Sequence, residues 1–119
     1  MLLNDFFEII EMQVTSEKVI SRIRLNSSHK IFSGHFPNNP ITPGVVLIQI
    51  VKEILEKFYK KELCLLKMSR CKFLKILNPN ETPMINIHIN ISVIENSIKA
   101  EVSGEENENI FFKLGAVYK

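Results

Sequence analysis

One apolar pattern with helical spacing lies between several patterns typical of strands, and few folds combine elements in this way. Apolar residues recur at helical spacing between residues 45 and 60, and a polar stripe runs along the opposite side. We therefore predict one long helix over 45–60. Its apolar positions are 47, 48, 50, 51, 54, 55 and 58, and its polar positions are 49, 52, 53, 56 and 57.

Two predicted strands precede this helix, and a third follows it. Residues 4–14 predict a short turn and then a strand, and EKVISRIRL, residues 17–25, predicts the second strand of a hairpin. The stretch MINIHINISVI, residues 84–94, alternates most strictly of all. The predicted buried faces carry Val19, Ser21, Ile23 and Leu25 in the hairpin, and Ile85, Ile87, Ile89, Ile91 and Val93 in the later strand.

Three more extended segments complete the pattern. Residues 63–77 follow the helix and end at the turn-forming stretch NPNETP, and two strands lie around 97–103 and 110–118, separated by GEENEN. Four strands in succession after one helix favour an antiparallel sheet over a parallel one. The predicted fold class is therefore α+β, with a sheet of five or six strands wrapped around one central helix.

Composition limits the domain count and the partners. A chain of 119 residues with 45% apolar residues is long enough for one core, so we predict a single domain over 1–119. The net charge is only +2, and the 15 Lys and Arg are scattered among 13 acids, which argues against nucleic acid as the main partner. The amino-terminal stretch lacks the basic leader of a signal peptide, and no apolar run approaches the ~20 residues of a membrane span. We expect a cytoplasmic protein.

The two cysteines do not predict a disulfide or a metal site. Cys64 and Cys71 lie seven residues apart in an extended segment, which separates them by roughly 23 Å at ~3.3 Å per residue. This distance is too long for a disulfide or for shared metal ligation. We predict neither a metal nor a cofactor.

A proline-rich loop enters the predicted helix. The stretch GHFPNNPITPGV, residues 34–45, contains three of the five prolines, and each fixes φ and removes an amide donor. The single histidine of the loop, His35, is thereby held in place. Pro43 and Gly44 suit the start of a helix, where the free amides around Gly44 and Val45 can polarise a carbonyl group with the help of the helix dipole.

This loop resembles the signature of the β-hydroxyacyl-(acyl carrier protein) dehydratases of the FabZ and FabA type, which reads GHFPxxPxxPGV. The later stretch CKFLKILNPNETPMINIHI is also similar to that family, so the resemblance covers most of the chain. It implies a hot-dog fold and reversible loss of water from a 3-hydroxyacyl thioester to give a trans-2-enoyl thioester. The matching residues are Gly34, His35, Phe36, Pro37, Pro40, Pro43, Gly44 and Val45.

In that family the loop histidine is the base, and an acidic side chain fourteen residues later on the helix assists departure of the hydroxyl group from across a dimer interface. Here that position is Gln49, and a glutamate, Glu53, follows one helical turn later. An amide has no pKa suitable for proton transfer, although it can hydrogen-bond a hydroxyl group.

Three alternatives follow from this exchange. In the first, Glu53 reaches back to supply the carboxylate while Gln49 orients the hydroxyl group. In the second, His35 works alone, with a loss of ~10² to 10⁴ in rate for the missing acid. In the third, the protein keeps the acyl pocket and has lost the catalytic activity. Without the motif, Gln49 and Glu53 would be assigned to a solvated surface, with Glu53 and Lys57 as an ordinary ion pair.

The resemblance also implies partners. We expect a homodimer with a sheet continuous across the interface. The alternatives are a higher oligomer and a heterodimer with a homologue. An acyl carrier protein is acidic, and a basic cluster after the helix complements it, although an ordinary solvated face explains the cluster equally well. Alternative functions are a non-catalytic acyl-binding or scaffold subunit and a thioesterase. The cluster comprises Lys60, Lys61, Lys67, Arg70, Lys72 and Lys75.

Overall fold

The computed structural model describes residues 1–34 and 40–119, which form six strands and two helices. The strands are β1 (Phe7–Val14), β2 (Lys18–Leu25), β3 (Leu65–Phe73), β4 (Met84–Ile94), β5 (Ser97–Glu106) and β6 (Asn109–Tyr118). The helices are α1 (Lys30–Gly34) and α2 (Gly44–Tyr59). The short helix α1 was not predicted from the sequence.

The strands form one antiparallel sheet in the order β1-β2-β4-β5-β6-β3. Consecutive strands β4, β5 and β6 are joined by hairpins, whereas β3 crosses over to pair with β6 at the far edge. The predicted antiparallel sheet is confirmed, with six strands in the described part of the chain.

The central helix α2 supplies one side of the core. Its buried apolar residues belong to the same cluster as the inward residues of β2, β4, β5 and β6. The helix begins one residue before the predicted start and ends where Lys60 takes a left-handed conformation. A six-stranded antiparallel sheet packed on one long helix is the hot-dog fold. The helix contributes Val46, Leu47, Ile50, Val51, Ile54 and Leu55 to this core.

The alternation predicted for β4 holds for its first four inward residues, which are buried, but not for Val93. Val93 is 64% exposed. Strand β2 pairs with β4 only as far as Lys18 opposite Asn90, so Val93 has a neighbouring strand on one side alone. Burial of a strand residue needs neighbours as well as the right face.

Two further observations concern the cysteines and the lengths of the helices. Cys64 and Cys71 are free thiols at exposed positions. None of the helices among the described residues has the length and apolar character required to cross a membrane.

Candidate active site

The first turn of α2 presents free backbone donors. Pro43 precedes the helix in an extended conformation, and its carbonyl oxygen accepts from Val46 N at 3.1 Å and Leu47 N at 3.3 Å. Pro43 has no N–H, and the first amides of a helix have no acceptor within the helix. Gly44 and Val45 are therefore the free donors of this turn among the described residues, at the positive end of the helix dipole.

A cleft of about 320 Å³ ends at this helix terminus. One wall is the segment that enters α2, and the other is the segment after β3. A hydrogen bond from Thr42 N to Leu77 O, 2.9 Å long, ties the two walls together. The lining is mainly apolar and includes Pro43, Gly44, Leu47, Phe73, Leu74 and Ile76.

Phe73 lies directly over Gly44. A Cβ atom added to Gly44 would lie 2.7 Å from Cε2 of the Phe73 ring. Glycine at this position therefore allows the aromatic ring to approach the helix terminus closely. The last residue of β3 and the first residue of α2 together form one end of the cleft.

Thr42 is a polar residue of the cleft that the sequence motif does not mark. The residue is only 5% exposed, and its Oγ1 has no hydrogen-bond partner among the described residues. Threonine stands at one of the variable positions of the GHFPxxPxxPGV pattern. The pattern itself therefore gave no signal for it.

Gln49 and Glu53 contact each other on α2. Gln49 Nε2 donates to Glu53 Oε2 at 2.8 Å, and the Gln49 side chain is half-buried. A carboxylate can only accept, so the amide nitrogen of Gln49 must face it. The two side chains that the sequence placed one turn apart thus form a donor–acceptor pair.

Glu53 is 2% exposed and is held by the amino-terminal backbone. Leu2 N donates to Glu53 Oε1 at 2.9 Å and to Oε2 at 3.0 Å, and Leu3 N donates to Oε1 at 2.8 Å. The solvated-surface interpretation is therefore wrong for Glu53, and its partners are backbone amides in place of Lys57. The missing information was the course of the amino-terminal segment, which lies about 50 residues away in sequence.

Part of the proline-rich loop lies outside the described residues. His35, Phe36 and Pro37 belong to the undescribed stretch 35–39, so their predicted roles stay predictions. Gly34 ends α1 at an exposed position, and Pro40 is buried where the described chain resumes.

The other two histidines have carboxylate neighbours. His29 Nε2 lies 3.1 Å from Asp5 Oδ2, and its Nδ1 accepts from Ile31 N at 3.1 Å. The β1–β2 hairpin brings Asp5 to His29 from 24 residues away, so this contact is not visible in the local sequence. His88 lies 4.0 Å from Glu105, across the β4–β5 pair and away from the cleft.

The paired charges on the polar side of the sheet are also remote from the cleft. Arg22 donates to both carboxylate oxygens of Glu106 at 2.9 Å. This contact raises the pKa of Arg22 and lowers the pKa of Glu106. Over residues 1–34 and 40–119, no three His, Cys, Asp or Glu side chains are grouped as a metal site requires.

Comparison with known proteins identifies the family. Residues 11–111 match the family model described as ApeI-like, ApeI dehydratase. Curated relatives include 3-hydroxyacyl-[acyl-carrier-protein] dehydratases FabZ. The protein from Caldanaerobacter subterraneus subsp. tengcongensis is 26% identical over 109 residues, covering 86% of this chain and 76% of its own. The protein from Ligilactobacillus salivarius is 23% identical over 96 residues, covering 75% of this chain and 67% of its own.

Solved structures share the fold. The dehydratase heterocomplex ApeI:P from Xenorhabdus doucetiae superposes with a TM-score of 0.74 at 18% identity, covering 92% of this chain and 95% of the matched chain. A putative thioesterase from Shewanella oneidensis superposes with a TM-score of 0.53 at 7% identity, covering 94% and 80%. The resemblance to FabZ-type dehydratases is confirmed, and the chain belongs to the ApeI-like dehydratase family.

Proposed function

We propose that this protein dehydrates a 3-hydroxyacyl thioester carried by acyl carrier protein, reversibly, to the trans-2-enoyl thioester. The observation that carries this proposal is a cleft lined by Gly44, at the helix terminus whose free amides belong to Gly44 and Val45. Two N–H groups at a helix terminus suit the oxygen of a thioester carbonyl, where negative charge develops when a proton leaves the neighbouring carbon. Apolar walls suit the acyl chain.

The proposed reaction breaks the C2–H and C3–O bonds and forms an O–H bond of water and the second bond between C2 and C3. His35 takes a proton from C2 as the thioester oxygen is stabilised at the helix terminus. The C3–O bond then breaks, the same proton goes to the departing oxygen, and the C2=C3 double bond and water result. The role of His35 rests on its place in the sequence motif.

The environment of Glu53 bears on which group serves as the acid. Both Glu53 oxygens accept hydrogen bonds, from Leu2, Leu3 and Gln49. A carboxylate committed to three N–H donors is poorly placed to reach the substrate. We therefore favour His35 as both base and acid, with Gln49 near the hydroxyl group, over a mechanism in which Glu53 supplies the acid.

A non-catalytic acyl-binding or scaffold subunit is the second candidate. Gln49 favours it, because an amide stands where the family resemblance implies an acid. The structural neighbour described as a dehydratase heterocomplex is consistent with a subunit that works beside a homologue.

The edge of the sheet supports a proposed dimer. Strand β3 pairs with β6 on one side only and is exposed along most of its length, with Leu66 53% and Phe73 51% exposed. An exposed edge strand with apolar side chains is a template for pairing with another strand. We propose that β3 pairs with β3 of a second copy, or with the same strand of a homologue.

The basic residues of β3 support carrier-protein binding in fatty acid or related acyl-chain biosynthesis. Lys67 and Lys72 are exposed on this strand. Arg70 is also exposed but already pairs with Glu101 at 2.6 Å. We therefore expect the two lysines to contribute more to attraction of an acidic carrier protein than Arg70 does.

The test is turnover of a 3-hydroxyacyl-(acyl carrier protein) by the purified protein, followed by the absorbance of the enoyl thioester. We expect activity in the wild type and none in His35→Ala. His88→Ala is the matched control, because His88 lies away from the cleft, and we expect it to keep wild-type activity. Substrate binding without turnover would favour the scaffold subunit, and release of free acid would favour a thioesterase.

A further inference from the structure

All the charges on the edge strand β3 are basic, and they lie on one face of the sheet. Residues directly opposite each other in an antiparallel pair point to the same face, and successive residues of a strand point to opposite faces. Met68 and Cys71 lie opposite core residues of β6, so both point toward the core. Their neighbours in the strand therefore point away from it. The charged residues on this outward face are Lys67, Arg70 and Lys72.

Only one of these three charges is neutralised within the chain. Arg70 pairs with Glu101 at 2.6 Å, whereas Lys67 and Lys72 form no ion pair within the part of the chain that the structure describes. Lys72 lies directly opposite Lys113 of β6, which is also exposed. Like charges directly opposite each other destabilise a pair of strands. The uncompensated positive charge at this edge therefore extends over two strands.

Pairing of β3 with a second β3 would bring these charges together. In a two-fold pair the same surface of each copy meets itself. Directly opposite residues share a face, so outward side chains meet outward side chains in every register. Because β3 contains no acidic residue, Lys67 and Lys72 would meet only basic or neutral residues of the second copy. Self-pairing therefore gains no opposite charge at this edge.

The opposite edge of the sheet is a poor partner for β3. Strand β1 carries Glu8 and Glu11, but Glu8 already pairs with Arg24 at 2.8 Å. Pairing of β3 with β1 of the next copy would also be head-to-tail, which leaves one free edge at each end of the pair and allows further copies to add. A closed pair with compensated charge needs a different chain, whose own edge strand is acidic.

We propose that the preferred partner of β3 is the edge strand of a different chain of the same fold, one with acidic side chains on its outward face, and that the homodimer is the weaker complex. This inference rests on the pairing through β3 proposed above. Opposite charges directly across two strands stabilise the pair, and like charges destabilise it. The lysines of β3 then oppose self-association as well as favouring the acidic partner.

A charge-reversed copy of the chain can serve as the acidic partner. Lys67→Glu/Lys72→Glu gives β3 two acids and keeps the apolar side chains of the edge. Fluorescently labelled wild type is titrated with unlabelled wild type or with this variant, and sedimentation velocity gives the two dissociation constants. We expect the mixed dimer to be roughly 10-fold tighter than the wild-type homodimer at low ionic strength. A mixed dimer no tighter than the homodimer would overturn the inference.

Lys18→Glu/Lys30→Glu is the matched control. Lys18 lies on β2 and Lys30 on α1, so neither belongs to the β3 edge. Each change of lysine to glutamate lowers the net charge by two, so both double variants carry −2 where the wild type carries +2. The control should bind the wild type no more tightly than the wild type binds itself. Equal tightening by the control would assign the effect to net charge and overturn the inference.

Ionic strength provides an independent readout. Salt screens exposed charges, and the Debye length falls from ~30 Å at 0.01 M to ~10 Å at 0.1 M. Over this range we expect the wild-type homodimer to become tighter, because repulsion is screened, and the mixed dimer to become weaker, because attraction is screened. A wild-type homodimer that weakens as salt is added would contradict repulsion between the two β3 strands.

The substitution Leu66→Lys separates failure of this inference from failure of the β3 interface. If Leu66→Lys dissociates both dimers and the two have equal affinity, β3 is the interface but its charge does not select the partner, and the inference alone is overturned. If Leu66→Lys changes neither complex, or no complex forms, the proposed β3 interface is wrong together with the inference. Turnover of the thioester substrate tests the proposed dehydration separately.

Discussion

Two glycines lie beneath phenylalanine rings whose freedom to move differs. A Cβ atom at Gly104 would lie 2.7 Å from Cδ1 of Phe112, which is fully buried. A Cβ atom at Gly44 would lie 2.5 Å from Cζ of Phe73, which is 51% exposed. A methyl group added at Gly104 therefore meets a ring that is fixed in the core, whereas one added at Gly44 meets a ring that can move.

We expect Gly104→Ala to destabilise the protein by about 1 to 3 kcal/mol, because Phe112 cannot move without disturbing the core. Gly44→Ala should change the free energy of unfolding by less than about 1 kcal/mol, since the Phe73 ring can swing outward. Denaturant unfolding of both variants measures the difference. Equal losses in the two variants would contradict the assignment of Phe73 as the mobile ring.

Burial gives Tyr118 a distinct response to alkaline pH. Tyr118 is 1% exposed, its hydroxyl group has no partner among the described residues, and burial raises its pKa from 10.0 to about 12. The folded state holds this proton more tightly than the unfolded state. The resulting stabilisation is full below pH 10 and is lost as the pH rises from 10 to about 12.

The measurement is the free energy of unfolding across this alkaline range in the wild type and in Tyr118→Phe. We expect a shallower decline in the variant, which also lacks the unpartnered hydroxyl group and should be as stable as the wild type at neutral pH. Burial also raises the pKa of Tyr59, so a residual alkaline decline is expected in Tyr118→Phe. An identical decline in both proteins would show that Tyr118 titrates normally.

At the level of single residues, the sequence predicted which residues begin the helix α2 better than it predicted which side chains are buried. The loop motif located Gly44 and Val45 at the start of α2, because prolines and glycines restrict local geometry directly. It could not predict the burial of Glu53, because the residues that cover it are distant in sequence and donate through backbone amides that every residue type except proline carries.

The two tight hairpins of the sheet contain residues in left-handed conformations. Glu95 and Asn96 join β4 to β5 with φ of 48° and 59°, and Asn107 and Glu108 join β5 to β6 with φ of 50° and 67°. Two central residues with positive φ are typical of a type I′ turn, which favours Asn-Gly. Glutamate at the second position is therefore strained.

We expect Glu108→Gly to stabilise the protein by about 1 kcal/mol, because glycine accepts positive φ without the clash of a Cβ atom. Asn107→Gly serves as the control, and its gain should be smaller because asparagine already tolerates this conformation. Thermal unfolding of both variants measures the two gains. The ranking is contradicted if Asn107→Gly gives the larger gain.

Element prediction succeeded where a periodic pattern was long. The alternation of residues 84–94 predicted β4, and the apolar stripe predicted α2 to within one residue at each end. Strands β5 and β6 extend further into GEENEN than predicted, because the turn needs only Asn107 and Glu108. Helix α1 has five residues, too few for a helical period to be visible in the sequence.

For the whole molecule, the two edges of the sheet differ in what they offer to a partner. The proposed interface uses β3, whereas β1 forms the opposite edge. We expect light scattering to give twice the chain mass of 13.8 kDa for the wild type, or for its complex with a homologue. Leu66→Lys should release the single chain, because a charge on an exposed edge strand opposes strand pairing.

Ile10→Lys is the matched control on β1. Ile10 is 43% exposed on the other edge strand, and Leu66 is 53% exposed on β3. The control should keep the wild-type mass. If Ile10→Lys dissociates the dimer and Leu66→Lys does not, the interface lies at the opposite edge of the sheet. A single-chain mass for the wild type at every concentration, with or without a homologue, would exclude the β3 interface.

The attachment of the amino-terminal segment to α2 has a consequence for mutational scanning. The Glu53 carboxylate accepts hydrogen bonds from the backbone amides of Leu2 and Leu3. The contact therefore joins positions about 50 residues apart without depending on either leucine side chain. A saturation scan should therefore record nearly all of this long-range contact at position 53. At positions 2 and 3 its only signature would be intolerance of proline, the one residue that has no amide hydrogen to donate.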